Sequence, residues 1–148
     1  METKKVRIGI SAKQTEGGDG YDAEPVSMNV ICEAELTDDG ENVYIEYEEH
    51  LSDDGGVTHT KLVFSKNRPE TVSLIRSGEV STVCSFTEGE RYACSYNMGG
   101  LMLEFCIVTK ALKNNLSVNG GSITLNYNME VRGIVMSRNE YKLKVIKK

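Results

Sequence analysis

Apolar and polar residues alternate along most of this chain, and the alternation constrains the fold more than any other feature. In VRIGI (residues 6–10) and NVYIEY (42–47), every second position is apolar. Successive side chains of a β-strand point to opposite faces of a sheet, so a period of two indicates strands with one buried face. Helical spacing is nearly absent, and the pattern predicts an all-β protein.

Strand candidates follow one another at short intervals, with turn sequences such as Asp39-Gly40 and Asn119-Gly120 between them. This spacing favours an antiparallel up-and-down meander, closed into a barrel of about eight to ten strands. No linker-like segment interrupts it, so we expect one domain over residues 1–148. The candidate strands are 4–15, 26–37, 42–51, 57–65, 71–76, 80–86, 91–97, 100–110, 112–118, 122–132 and 134–146.

The turn sequences also predict which residues lie opposite each other. Two-residue turns at Asp39-Gly40 and Asn119-Gly120 keep apolar residues together on one face. The pairings that they predict are Leu36 with Val43 and Leu116 with Ile123.

The Glu88-Gly89 turn matches the apolar pattern only with an odd number of loop residues, as in a bulged turn. Phe86 then faces Tyr92, and Cys84 faces Cys94. Two interpretations of the cysteines stay open: adjacent buried thiols, or a redox-sensitive pair.

Composition excludes several functional classes. The net charge is −5, whereas nucleic-acid binders normally carry a basic surface, so we expect no nucleic-acid partner. No apolar run has the length of a signal peptide or a membrane-spanning helix, which favours a cytoplasmic protein without a membrane partner. The four cysteines lack CxxC spacing, so we expect neither a metal site nor a cofactor.

Polar residues continue the inward stripe at a few positions and are the candidate ligand-binding residues. A buried tyrosine hydroxyl normally needs a hydrogen-bond partner, so these side chains are expected to form a polar region inside the barrel. They are Arg76, Glu49, Tyr47, Tyr92, Tyr96 and Tyr127.

Three interpretations of Arg76 remain open. A two-residue turn at Ser77-Gly78 sets Arg76 opposite Glu79 in a salt bridge at the barrel rim. A longer turn keeps Arg76 inside, where Glu49 or tyrosine hydroxyls neutralise it. In the third interpretation the inward guanidinium binds a ligand carboxylate or phosphate.

The chain offers little for catalysis, and we assign no catalytic residue. His50 and His59 both fall on the outward face of their strands. The weakest hypothesis is an enzyme that uses Glu49 and a tyrosine as acid and base. The residues favour a non-enzymatic protein.

The order and spacing of six segments resemble a known family. The segments are YIEYEEHL, THTKLVF, VSLIRSGEV, CSFTEGE, GGLMLEFCIVTK and NGGSITLNYNMEV. They resemble the YwiB-like family of small, uncharacterised bacterial proteins, from about residue 4 to residue 146. The resemblance implies a calycin-like barrel, similar in architecture to lipocalins, and implies no activity. Lipocalins commonly carry a tryptophan that this chain lacks, so their ligand class does not transfer.

Two functions are therefore expected as alternatives, and the oligomeric state stays open. In the first, the barrel interior binds a small, partly apolar anion, with Arg76 as its anchor. In the second, the barrel is filled and acts as a structural or protein-interaction module. An apolar exterior patch that includes Ile31, Val108 and Cys106 would favour the second.

Overall fold

The computed structural model describes residues 1–16, 24–49, 56–78, 80–98 and 100–147. Those residues contain no helix, and therefore none that could cross a bilayer. They form ten strands: β1 Glu2–Glu16, β2 Val26–Asp38, β3 Asn42–Glu49, β4 Thr58–Ser65, β5 Arg68–Gly78, β6 Val80–Thr87, β7 Arg91–Met98, β8 Leu101–Asn114, β9 Ser122–Val131 and β10 Ile134–Lys147.

The strands close into an antiparallel barrel in which each strand pairs with its neighbours in sequence. β1 also pairs with β10, through contacts such as Ile10 with Leu143, so the sheet has no free first or last strand. This confirms the predicted all-β meander and barrel. The inward face carries the fully buried side chains Ile8, Leu36, Ile45, Leu62, Val72, Phe86, Ile123 and Leu143.

The two ends of the barrel differ. Because the strands alternate in direction, the turns at 39–41, 66–67, 88–90 and 115–121 lie at one end, here called the lower end. Inward side chains near it are buried, and Leu116 in the last of these turns is only 6% exposed. Near the opposite, upper end, inward-facing apolar side chains are 38–59% exposed: Met28, Val30, Leu101 and Leu103. The lower half is therefore packed, and the upper half exposes an apolar wall.

The two candidate strands at 100–110 and 112–118 are wrong as separate elements. β8 runs without interruption from Leu101 to Asn114, and its pairing with β9 shifts between Thr109 and Ala111. One extra residue in a bulge reverses the side-chain alternation. In a sequence that is interpreted with a strict period of two, such a reversal is mistaken for the end of one strand and the start of another.

The two registers derived from turn sequences are also wrong, each by two residues. Leu36 pairs with Ile45, because the Asp39 carboxylate accepts the amides of Glu41 and Asn42 and so holds a wider loop. Asn114 pairs with Ile123 and Ser117 with Gly120, so the tight turn is at 118–119. A shift of two keeps every side chain on its predicted face, and the hydrophobic pattern therefore could not detect it.

Candidate functional site

Arg76 faces the barrel interior. It pairs with Thr82 across β5 and β6, so the connection is longer than the two-residue turn on which the rim interpretation depends. Glu79 itself lies outside the described residues. Leu74, two positions earlier in β5, also faces inward. The Arg76 side chain is 22% exposed. The open question is thereby narrowed to an internal ion pair or a ligand-binding arginine.

Glu49, at the end of β3, is the carboxylate that faces Arg76. The Arg76 Nε atom donates a hydrogen bond of 3.2 Å to Oε1 of Glu49, and the Thr60 hydroxyl donates to the same oxygen. Burial alone would lower the pKa of the guanidinium, but the charge of Glu49 and this hydrogen bond raise it. Among the residues that the structure describes, neither Nη1 nor Nη2 of Arg76 makes a hydrogen bond. The pair is thus ionic, with one contact between its members.

Two tyrosines meet beside this pair. The hydroxyl groups of Tyr47 on β3 and Tyr141 on β10 lie 3.0 Å apart across the interior. Burial raises the pKa of both phenols above the ordinary value. Tyr141 was not among the predicted residues, although the alternation of Tyr141, Leu143 and Val145 in the last strand could have identified it.

Tyr127 completes the polar region from β9. Its ring packs edge-on against Phe86, with centroids 5.0 Å apart, and burial raises the pKa of its phenol. Arg76, Tyr127 and Tyr141 line a cavity of about 40 Å³ whose remaining walls are apolar. One water molecule needs about 10–15 Å³ of such a cavity, so there is room for a few oxygen-sized atoms.

The other two predicted tyrosines lie apart from this cavity. Tyr96 pairs with Thr82 and Leu103, which places it two strands from Arg76 along the same row. Tyr92 is 38% exposed, so the expectation of a buried Tyr92 is wrong. The β6–β7 pairing ends at Thr82 and Tyr96, and β7 separates from β6 before it reaches Tyr92.

One polar atom near the ion pair lacks a partner. Thr58 lies directly opposite Glu49 across β3 and β4, and its hydroxyl is buried without a hydrogen bond. Buried hydroxyls are normally paired, so an unpaired one calls for an explanation such as a bound water or ion. The Thr109 hydroxyl is likewise buried without a hydrogen bond.

The exterior offers weaker candidates. β2 and β3 pair only up to Glu35 and Glu46, and the groove beyond is lined by four glutamates, which disfavour an anion. His59 is exposed and lies 3.1 Å from Glu46, while His50 lies outside the described residues. The described residues contain no cluster of three or more potential metal ligands.

The apolar exterior patch predicted from three residues does not form as one surface. Ile31 is 69% exposed on β2, whereas Val108 and Cys106 are only partly exposed on β8. Three strands, β1, β10 and β9, separate β2 from β8 in the barrel.

Comparisons with known proteins agree with this architecture. The chain matches no curated protein. It is similar to the crystal structure of the ywiB protein from Bacillus subtilis, with a TM-score of 0.73 and 22% sequence identity over 98% of this chain and 96% of that one. That likeness supports the fold. Residues 8–143 match the model of a family described as a domain of unknown function, DUF1934, and the chain therefore belongs to the DUF1934 family, as the YwiB-like resemblance predicted.

Proposed function

We propose that the barrel binds a small, partly apolar anion, with its charged group at Arg76 and its apolar part against the upper wall. The observation that carries this proposal is the Arg76 guanidinium, which lines an internal cavity while only its Nε contacts Glu49. Arginine nitrogens hold a carboxylate through two parallel hydrogen bonds, and such charge-assisted bonds are stronger than neutral ones.

The tyrosines support an anionic head group. Phenols are protonated at neutral pH, and burial raises the pKa of Tyr127 and Tyr141 further, so their hydroxyls can donate hydrogen bonds to an anion. A cavity of about 40 Å³ matches the two oxygens of a carboxylate better than a whole ligand. The rest of the ligand would therefore extend towards the upper end.

The upper wall supports an apolar tail. Met28 and Val30 from β2, with Leu101 and Leu103 from β8, have inward positions and large exposed fractions. Covering apolar surface of this kind is worth about 25 cal/mol per Å². A cytoplasmic location is part of the proposal, because all four cysteines are free and a reducing compartment keeps them so.

Titration calorimetry with octanoate and octanol tests the proposal, since the two ligands share a chain and differ in charge. We expect octanoate to bind the wild-type protein at least tenfold more tightly than octanol, which corresponds to about 1.4 kcal/mol. Arg76→Met should abolish the difference, whereas Arg68→Met, at an exposed arginine paired with Glu70, should leave it unchanged.

A second variant distinguishes the loss of the anion site from misfolding of the barrel. Glu49→Leu combined with Arg76→Met removes both charges together, so no unpaired charge is buried. This double variant should fold and still fail to prefer octanoate. Absence of binding for both ligands to the wild-type protein would overturn the proposal and favour the alternative, an interaction module with a filled barrel.

A further inference from the structure

Cys84 and Cys94 lie side by side between β6 and β7. The strands pair Val80 with Met98 and Thr82 with Tyr96, and the same register two residues further sets Cys84 opposite Cys94. Both cysteines are free and buried; the Cys84 sulfur lies 3.8 Å from the Thr82 hydroxyl, and the Cys94 thiol donates to the Tyr92 carbonyl oxygen at 3.8 Å. The residues that do pair have the predicted register, and three residues connect Thr87 to Arg91; β6 and β7 do not pair at Phe86 and Tyr92 themselves.

The backbone at this level leaves room for the two sulfurs to approach. No ladder pair joins β6 and β7 beyond Thr82 and Tyr96, although residues 83–87 and 91–95 are all described. A disulfide needs Cβ atoms about 3.5–4.5 Å apart, slightly closer than most directly opposite strand residues. Because β6 and β7 share no backbone hydrogen bonds here, moving the two Cβ atoms closer together would break none.

The local electrostatics favour a reactive thiol at Cys84. The thiol of Cys94, the hydroxyl of Thr82 and the charge of Arg76 all lower the pKa of Cys84, against the effect of burial. Both side chains face the barrel interior and are nearly covered, with Cys84 3% and Cys94 6% exposed, so the oxidant must be as small as hydrogen peroxide.

We propose that Cys84 and Cys94 form a redox site, in which hydrogen peroxide converts the two thiols into a reversible disulfide between β6 and β7. The Cys84 thiolate attacks one peroxide oxygen, the O–O bond breaks and hydroxide leaves, which gives a sulfenic acid. The sulfur of Cys94 then displaces the second hydroxide as the S–S bond forms. The two thiol protons convert both hydroxides to water, so two thiols and one peroxide give one disulfide and two waters.

Competing pairs are disfavoured by the topology. Cys106 lies opposite Ala93 on β7, so its side chain belongs to the outer face while Cys94 belongs to the inner one. Cys32 lies on β2, which is separated from β6 by three strands. The expected product is therefore one specific intramolecular disulfide.

The test treats the reduced protein with hydrogen peroxide, unfolds it with an alkylating reagent present, and measures intact and peptide masses. We expect the loss of two hydrogen masses, alkylation of Cys32 and Cys106 only, and a linked peptide that joins Cys84 to Cys94. Dithiothreitol should restore all four alkylation sites.

Matched variants make the result decisive. Cys32→Ser combined with Cys106→Ser should still form the disulfide, whereas Cys84→Ser and Cys94→Ser should not. If the first variant keeps two free thiols after peroxide treatment, the proposal is wrong even if the single variants fail to fold. A disulfide to Cys106, a disulfide between molecules, or a sulfenic acid that never resolves would each overturn it too. None of these outcomes depends on octanoate binding.

Discussion

Arg76 Nε lies 3.2 Å from Glu49 Oε1 inside the barrel, and the side chains are only 22% and 14% exposed. Burying two charges costs solvation energy that their attraction only partly returns, so such a pair is rarely present for stability alone. Its position beside a cavity and an unpaired threonine hydroxyl instead suits a binding site.

Breaking the pair should destabilise the protein more than removing it. Arg76→Met leaves Glu49 buried without its cation, and we expect a loss of about 3 kcal/mol in the free energy of unfolding. The double variant with Glu49→Leu should return to within about 1 kcal/mol of wild type. Urea denaturation measures both values; equal losses in the single and double variants would mean that the pair is not coupled.

Glu49→Gln should have the opposite effect on ligand binding from Arg76→Met. The substitution keeps the shape and an oxygen for Thr60, but it removes the negative charge that competes with a ligand carboxylate for Arg76. We expect octanoate to bind several-fold more tightly, with octanol unchanged. Calorimetry measures the change; weaker octanoate binding by this variant would count against a direct contact between the carboxylate and Arg76.

Alkaline pH should destabilise the barrel. The pKa values of Tyr47, Tyr127 and Tyr141 are raised in the folded protein, so above pH ~10 the unfolded chain loses phenolic protons that the folded state retains. Stability is therefore full below this pH and falls as pH rises, by about 1.4 kcal/mol per pH unit for each such tyrosine. Urea denaturation between pH 9 and pH 11 measures the slope of the unfolding free energy against pH. This slope should be shallower in Tyr127→Phe, and an unchanged slope would contradict the burial of the Tyr127 phenol in the wild-type protein.

Gly78 should tolerate alanine less well than Gly120 does. Both glycines have positive φ angles, 114° and 123°, so alanine strains the backbone similarly at each. A Cβ at Gly78 would lie 2.7 Å from the Val57 carbonyl oxygen, whereas at Gly120 it meets nothing within 4 Å. We expect a loss of about 1 kcal/mol for Gly120→Ala and at least 2 kcal/mol for Gly78→Ala. Equal thermal shifts would mean that Gly78 does not lie so close to the Val57 carbonyl, just before β4.

The sequence was sufficient for the barrel and for the faces of its strands, because alternation reports which side chains turn inward. It placed Glu49, Tyr47 and Tyr127 inside and left Arg76 open between the rim and the interior; all four lie together in the structure. Register depends on loop hydrogen bonds such as those of Asp39, which alternation does not report, and two of three predicted registers were therefore wrong.

Contacts across the barrel could not be predicted from the sequence either. Tyr141 meets Tyr47 because the ten strands close into a barrel, and the two residues are 94 positions apart in the chain. The exposure of Tyr92 follows from the local separation of β6 and β7. Neither feature has a signal within a single strand.

Nitrogen-15 NMR of the arginine side chains, with Arg76→Met to assign the signal, is the measurement that bears on Arg76 itself. Addition of octanoate should shift the Nη resonances of Arg76 and leave those of the exposed Arg68 unchanged, while octanol should shift neither. Octanoate that binds, as measured by calorimetry, without moving the Arg76 resonances would contradict the role of Arg76 as the anion anchor.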